Sequence, residues 1–132
     1  MIVVLDASAA AEVMLRREKG DHFGRLLAEA ESVVVPELYF YEMTNLFWKY
    51  HRLAGIDPDQ CARGLRLAAE LPDETVSATD LYIECLDTAC REGHQAYDLF
   101  YLVLAKRRGA ILATLDKKLL TMCTRVGVRI PA

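Results

Sequence analysis

The chain has 132 residues, a length that suits one domain with a substantial core and leaves no room for a second. Hydrophobic residues make up 53% and charged residues 27%, which is typical of compact soluble domains and not of disordered chains. A net charge of −3 argues against tight, non-specific binding of nucleic acid, although short basic groups recur at residues 16–17, 106–108 and 117–118.

No apolar segment of the sequence has the character of a signal peptide or a membrane span. The apolar residues 1–5 lack a basic flank and are followed at once by Asp6. No apolar run approaches the roughly 18 residues that a spanning helix needs. We therefore expect a soluble, cytoplasmic protein that does not associate with membranes.

The first half of the chain is predicted to alternate strands with helices. Residues 2–5 are a short β-branched apolar run, as expected of a central parallel strand buried on both faces. An alanine-rich helix follows to about residue 17, and helical spacing resumes over residues 21–31 after Gly20. A second buried strand at residues 33–35 ends at Pro36, which stands in the first turn of a long helix reaching about residue 53.

The second half continues this alternation. Gly55 ends the long helix, and Asp57-Pro58 begins another that runs to about residue 71. A weaker strand is predicted at residues 74–78, then helices at 79–92 and 97–108, a strand at 110–113, a short helix opened by Asp116, and a last strand at 126–130. Strands that alternate with helices predict an α/β domain with a parallel sheet and right-handed crossovers.

Two aspartates stand at the carboxyl ends of predicted strands, where the functional crevice of an open α/β sheet lies. Asp6 directly follows the first strand, and Asp116 comes shortly after strand 110–113. Asp98 lies in the first turn of the helix leading into that strand, and Glu42 lies at the rim of the apolar face of the long helix. Each acid also has a simple structural explanation, because the three aspartates suit helix N-termini and Glu42 suits an ion pair with Lys49. Their conjunction favours a shared site.

A shared site for four acids needs a cation. Two carboxylates about 5 Å apart repel by about 3 kcal/mol at an effective dielectric near 20, and a domain is typically stable by only about 5–15 kcal/mol. The four cysteines contain no C-x-x-C pair and the three histidines lie far apart in sequence, so zinc is not indicated. An all-oxygen donor set suits Mg²⁺ or Mn²⁺.

The four segments that carry these acids resemble the PIN domain, and within it the VapC-type toxins of bacterial and archaeal toxin–antitoxin pairs. They are Val-Val-Leu-Asp-Ala-Ser at residues 3–8, Pro-Glu-Leu-Tyr-Phe-Tyr-Glu-Met-Thr-Asn at 36–45, Tyr-Asp-Leu-Phe-Tyr-Leu-Val-Leu-Ala at 97–105 and Thr-Leu-Asp-Lys-Lys-Leu at 114–119. Their order and spacing match from residue 3 to about residue 130. The resemblance implies a single PIN-like domain over residues 1–132, with a central parallel β-sheet of about five strands flanked by α-helices.

The resemblance also assigns roles to individual residues. Asp6, Glu42 and Asp98 are the expected principal ligands of one or two Mg²⁺ or Mn²⁺ ions, and Asp116 is expected to bind the second or more weakly held ion. All four acids are therefore expected to be catalytic. A further group, expected to orient the carboxylates or metal-bound water, consists of Ser8, Asn45 and Thr114.

The implied activity is that of an endoribonuclease that hydrolyses RNA phosphodiesters with a metal-activated water, leaving a 5′-phosphate and a 3′-hydroxyl. The implied role is the toxin of a type II toxin–antitoxin pair, a homodimer whose acidic groove is covered by a cognate antitoxin. Both tRNA and rRNA are candidate substrates. The competing hypothesis is a catalytically inactive PIN fold that binds RNA or protein as a scaffold. Loss of one acid would mark such a scaffold, and all four are present.

Aromatic side chains on two predicted helices leave alternatives open. The long helix carries more of them than one face can bury, namely Tyr39, Phe40, Phe47 and Trp48. They indicate a protein interface, or else they pack beneath the helix that follows. On the helix at 97–108, Tyr97 and Tyr101 either line the approach of RNA or belong to the core.

Overall fold

A computed structural model describes all 132 residues, which form four β-strands and seven α-helices. The strands are β1 (Ile2–Leu5), β2 (Ser32–Pro36), β3 (Glu74–Val76) and β4 (Ile111–Ala113). The helices are α1 (Ala7–Met14), α2 (Gly20–Glu29), α3 (Leu38–Ala54), α4 (Pro58–Glu70), α5 (Tyr82–Glu92), α6 (Leu99–Arg108) and α7 (Lys117–Val126). None of the helices combines the length and the hydrophobicity that a membrane crossing requires.

The strands form one parallel sheet in the order β3-β2-β1-β4. The central strand β1 has no solvent-exposed surface at Val3, Val4 or Leu5, as its uniformly apolar sequence predicted. The chain moves from β1 through β2 to β3 and then returns across the sheet to β4. With right-handed crossovers, α1–α4 cover one face and α5 and α6 the other. The direction of the connections therefore reverses at β1 and β4, whose carboxyl ends form the crevice of the sheet.

Helix α6 is the most buried helix, and it contacts β1, β2 and β4. Its buried residues are Leu99, Tyr101, Leu102, Val103, Leu104 and Ala105. An almost uninterrupted apolar sequence predicted this burial, because a helix that is apolar all round has no face for solvent. The position of α6 brings its N-terminus to the carboxyl edge of the sheet.

The predicted fifth strand at residues 126–130 is wrong, so the sheet has four strands and not about five. Helix α7 continues through Val126, which removes the first residue from any strand. Beyond it, Arg129 makes one isolated parallel bridge to β4, and its carbonyl oxygen accepts from the Leu112 amide at 2.9 Å. Pro131 then follows without an N–H, and the ladder stops. The α/β class and the parallel direction of the strands are confirmed.

The interface hypothesis for the α3 aromatics is wrong for Tyr39 and Phe47, which are buried under α4. The Tyr39 hydroxyl donates to the Ala68 carbonyl at 2.7 Å. Helix α4 lies so close to α3 that a Cβ at Gly64 would be 2.5 Å from the Phe47 ring. Only Trp48 fits the interface hypothesis, because half of its surface is exposed.

Candidate active site

Asp6 lies at the carboxyl end of β1 and is the N-cap residue of α1. Its Oδ1 accepts from the Ser8 hydroxyl at 2.5 Å and from the Ala9 amide at 3.1 Å. Its Oδ2 accepts from the Thr114 hydroxyl at 2.5 Å. Burial raises the pKa of Asp6, and these hydrogen bonds oppose that shift because they favour the carboxylate. The side chain is thus buried and fixed from both sides.

Asp116 occupies the equivalent place after β4, as the N-cap residue of α7. Its Oδ1 accepts from two amides in the first turn of that helix at 2.9 and 3.1 Å. The Asp116 amide donates to the Thr114 hydroxyl at 3.0 Å, and the Leu115 amide donates to the Ser8 hydroxyl at 3.0 Å. The hydroxyls of Ser8 and Thr114 therefore join the ends of β1 and β4 while they both donate to Asp6.

Glu42 approaches this edge from the second turn of α3 and is partly buried. The Tyr101 hydroxyl of α6 donates to its Oε1 at 2.5 Å. Burial raises the pKa of Glu42, the hydrogen bond from Tyr101 opposes the shift, and the charges of Asp6, Asp98 and Asp116 raise the pKa further. All three aspartates thus lie within electrostatic reach of Glu42.

Asp98 stands at the N-cap position of α6, yet its carboxylate makes no capping hydrogen bond. Burial raises the pKa of Asp98 and the charge of Asp116 adds to the shift, whereas His94 and Lys118 oppose it. The capping explanation therefore holds for Asp6 and Asp116 but not for Asp98. No local structural role accounts for the Asp98 carboxylate.

An open cleft of about 690 Å³ lies beside Glu42. Arg17, Asn45 and Lys49 also line it. Lys49 forms no ion pair with Glu42, so the simple pairing expected for this acid is absent. The Asn45 side chain is exposed in the cleft and makes no hydrogen bond to any of the four acids. Glu42 thus faces solvent-accessible space beside two basic side chains.

The donor set fits a hard divalent cation by its chemistry, but not in the present side-chain arrangement. No group of three or more Asp, Glu, His or Cys side chains is placed so that it could hold a metal ion. Asp6 and Asp116 direct oxygens at hydroxyl and amide donors of the chain. All four side chains are nevertheless carboxylates that form no ion pair, a combination that suits Mg²⁺ or Mn²⁺. Binding would require rotation of these carboxylates.

The sequence did not predict the hydrogen bond between Tyr101 and Glu42. It indicated only that Tyr101 either lines the approach of RNA or belongs to the core. The structure buries Tyr101 and leaves Tyr97 69% exposed. One sequence signal was available, because Tyr101 stands three residues after Asp98 and so shares a side of the helix with it. The metal-binding and catalytic roles of the acids, and the orienting roles of the second group, stay predictions.

The fold and the acids together define a small α/β domain with an acidic crevice at the reversal point of its parallel sheet. Residues 3–123 match the PIN domain family, and the chain belongs to that family. It is 28% identical over 121 residues to Ribonuclease VapC3 of Pyrobaculum aerophilum, which covers 90% of this chain and 92% of that protein.

Two solved structures have a similar fold. The crystal structure of PAE2754 from Pyrobaculum aerophilum gives a TM-score of 0.72 at 25% identity, covering 96% of this chain and 90% of that chain. VapC20 of Mycobacterium tuberculosis, a toxin that cleaves the sarcin–ricin loop, gives a TM-score of 0.67 at 16% identity, covering 91% and 94%. The second likeness is one of fold alone.

Proposed function

We propose that this protein is a Mg²⁺- or Mn²⁺-dependent endoribonuclease and the toxin of a type II toxin–antitoxin pair. The observation that carries the proposal is the gathering of four carboxylates that form no ion pair at the sheet crevice, including Asp98, which has no capping role. Membership of the PIN domain family and the 28% identity to Ribonuclease VapC3 support the nuclease activity.

In this proposal Asp6, Glu42 and Asp98 hold the principal metal ion, and Asp116 contributes to a second or weaker one. The bound ion supplies an activated water and neutralises charge that develops on the phosphodiester. Ser8 and Thr114 donate their hydroxyl protons to Asp6 and so restrict the orientation of its carboxylate. Tyr101 does the same for Glu42 from the opposite face of the sheet.

The hydrogen bond from Tyr101 has a second consequence. It favours the ionised form of Glu42, whose pKa burial raises. A carboxylate must be deprotonated to bind a cation, so this hydroxyl extends the pH range over which Glu42 is ready to act. Tyr101 is therefore a positioning residue that acts through Glu42.

The proposed partners are an RNA substrate, with tRNA and rRNA as candidates, a cognate antitoxin and a second copy of the chain, all in the cytoplasm. The open cleft beside Glu42 supports access by a macromolecule. Exposed large apolar side chains on α3 and α5 support a protein interface, and they are Tyr41, Trp48, Leu53, Tyr82, Ile83 and Leu86.

The decisive experiment measures cleavage of a structured RNA pool by the wild type and by Asp98→Asn. Asp98 is the best position because its side chain accepts no capping hydrogen bond, so the change leaves the fold intact. We expect cuts with 5′-phosphate ends in Mg²⁺ or Mn²⁺, none in EDTA, and a loss of more than about 100-fold in the variant, since outer-sphere changes alone cost about 10–100-fold.

Asp87→Asn is the matched control, because Asp87 lies exposed on α5 in an ion pair with Arg91. Its cleavage rate should equal that of the wild type. Cleavage that persists in EDTA or in Asp98→Asn would show that the proposed site is wrong. If no RNA is cut under any condition, the catalytically inactive scaffold is the better hypothesis.

A further inference from the structure

A second open groove, of about 840 Å³, lies between the end of α1 and helix α2. Arg16, Arg17 and Arg25 line it, and we call it the arginine groove. Along α2 the small residue Gly24 leaves it open, since a Cβ there would meet no atom within 4 Å, whereas Gly20 packs closely against the Glu12 carbonyl of α1. The groove thus offers space beside three guanidinium groups.

The charges of the arginine groove are largely uncompensated. Arg16 and Arg25 are exposed and form no ion pair. Arg17 donates to the Tyr50 hydroxyl at 3.2 Å and stacks over that ring at 5.7 Å, which holds its guanidinium in place without neutralising it. Asp21 is the one acid that lines the groove. A local excess of positive charge therefore exists on a chain whose net charge is −3.

Arg16 stands where the backbone favours glycine. The Arg17 amide donates to the Glu12 carbonyl at 3.0 Å and the Arg16 amide to the Val13 carbonyl at 3.4 Å, the pattern of a Schellman motif. Arg16 has φ +52°, and every other residue of the chain with positive φ is a glycine. An arginine here lowers stability and keeps a cation at the groove.

The arginine groove is continuous with the acidic cleft. Arg17 lines both, and the cleft also contains Ser8, Glu42 and Lys49. An RNA strand whose scissile phosphate reaches the acids must place its neighbouring phosphates close by. Those phosphates need cations, and guanidinium groups match phosphate oxygens in paired hydrogen bonds.

We propose that the arginine groove binds the sugar–phosphate backbone of the RNA substrate next to the cleavage site, through Arg16, Arg17 and Arg25. This inference rests on the proposed ribonuclease function and names the surface that holds its substrate. Arg16 and Arg25 lie away from the reacting phosphodiester and act on affinity, so their loss raises KM and leaves kcat unchanged.

The test measures binding of a fluorescein-labelled single-stranded oligouridine by anisotropy, in EDTA and at several KCl concentrations. Arg16→Gln/Arg25→Gln should weaken binding by about ten-fold, and the slope of log affinity against log salt should fall by about 1.4, because each lost phosphate contact on a single strand contributes about 0.7. The matched control is Arg63→Gln/Arg66→Gln, two exposed arginines of α4 without ion pairs. It carries the same change in charge and should bind as the wild type does.

Arg16→Gly separates binding from folding. Glycine adopts the positive φ without strain, so the variant should have a Tm higher by a few degrees. The slope of its log affinity for RNA against log salt concentration should fall by about 0.7. A more stable protein that binds RNA less well supports the groove. Unchanged affinity and slope in both Arg16 variants would overturn it.

The same proteins keep this inference distinct from the proposed function. If the wild type cleaves RNA in Mg²⁺ and the double variant does so with the same KM, the groove proposal fails and the nuclease stands. If the wild type binds RNA through the arginines but never cuts it, the groove stands and the nuclease fails. If labelled decaglutamate binds with the same arginine dependence and oligouridine does not, the groove takes an acidic peptide and the RNA proposal is overturned.

Discussion

Charged residues are arranged in opposite ways in two regions of this molecule. On the surface formed by β3, α5 and α6, acids are paired with arginines, and these pairs are Glu74–Arg108, Glu84–Arg107 and Asp87–Arg91. We call this the paired surface. At the crevice of the sheet, the four acids form no ion pair, and they are Asp6, Glu42, Asp98 and Asp116. We call this the acidic edge.

The pKa of one acid on the paired surface and those of three acids at the acidic edge shift in opposite directions. The hydrogen bond from Arg108 lowers the pKa of Glu74, whereas burial raises the pKa values of Asp6, Glu42 and Asp98. Exposed pairs contribute at most about 1 kcal/mol each to stability. The acidic edge works against folding, so its retention calls for a cation, and the predictions below test this contrast.

The largest expected effect is stabilisation by metal. Addition of Mg²⁺ or Mn²⁺ at 100 times its dissociation constant should stabilise the wild type by about 2.7 kcal/mol and raise Tm by several degrees. Glu42→Gln should lose most of this rise. Glu84→Gln, on the paired surface, should keep all of it, because Glu84 only pairs with Arg107. A wild-type Tm that does not respond to either ion would show that neither cation stabilises the acidic edge.

A smaller effect is expected when the link between Tyr101 and Glu42 is cut. Tyr101→Phe should lower cleavage by about ten-fold, about 1.4 kcal/mol, which is close to the lower end of the range for a hydrogen bond to a charged group, about 1.5–3 kcal/mol. The acid limb of the pH–rate profile should move to higher pH, because the hydrogen bond from Tyr101 lowers the pKa of Glu42 and its loss raises that pKa. Tyr39→Phe is the control, since it also loses a buried hydroxyl bond, to Ala68, but should change stability only. Equal pH profiles for all three proteins would contradict the positioning role.

The smallest effect concerns stability against pH in EDTA. Acids whose folded pKa is raised contribute stability that is present below their unfolded pKa and is lost as pH rises through the folded pKa. At about pH 7 the wild type should therefore have a lower Tm than Glu42→Gln, because its partly buried Glu42 is charged. This difference in Tm should shrink as pH falls from about 7 towards the ordinary pKa of a glutamate, about 4.3. The contribution of Glu74 to stability depends on pH in the opposite way. Its pKa is lowered in the folded protein, so its contribution is lost only as pH falls through that folded pKa. Parallel curves for wild type and Glu42→Gln would show that burial does not disfavour the Glu42 charge.

Local patterns in the sequence predicted most of the fold and all four candidate acids. The β-branched run of β1 and the apolar sequence of α6 require burial wherever the chain takes them, so their elements were predictable from residues 2–5 and 97–108. The absence of a fifth strand was not predictable, because Val126 suits the end of α7 as well as the start of a strand. Whether the residues after Val126 extend the sheet depends on their pairing with β4, which is not adjacent in the sequence, and on Pro131.

The contacts that make the site were decided by the tertiary structure. Tyr101 and Glu42 are 59 positions apart, and Thr114 and Asp6 are 108 apart. Neither helical nor strand periodicity relates residues at such distances, so only the strand order and the helix packing bring their hydroxyls and carboxylates together. The arginine groove has the same origin, because the sequence marks Arg16 and Arg17 as basic but does not place Arg25 beside them. The sequence by itself determined which chemical groups the protein carries, and the packing of α1, α3 and α6 around the sheet decided which of them meet.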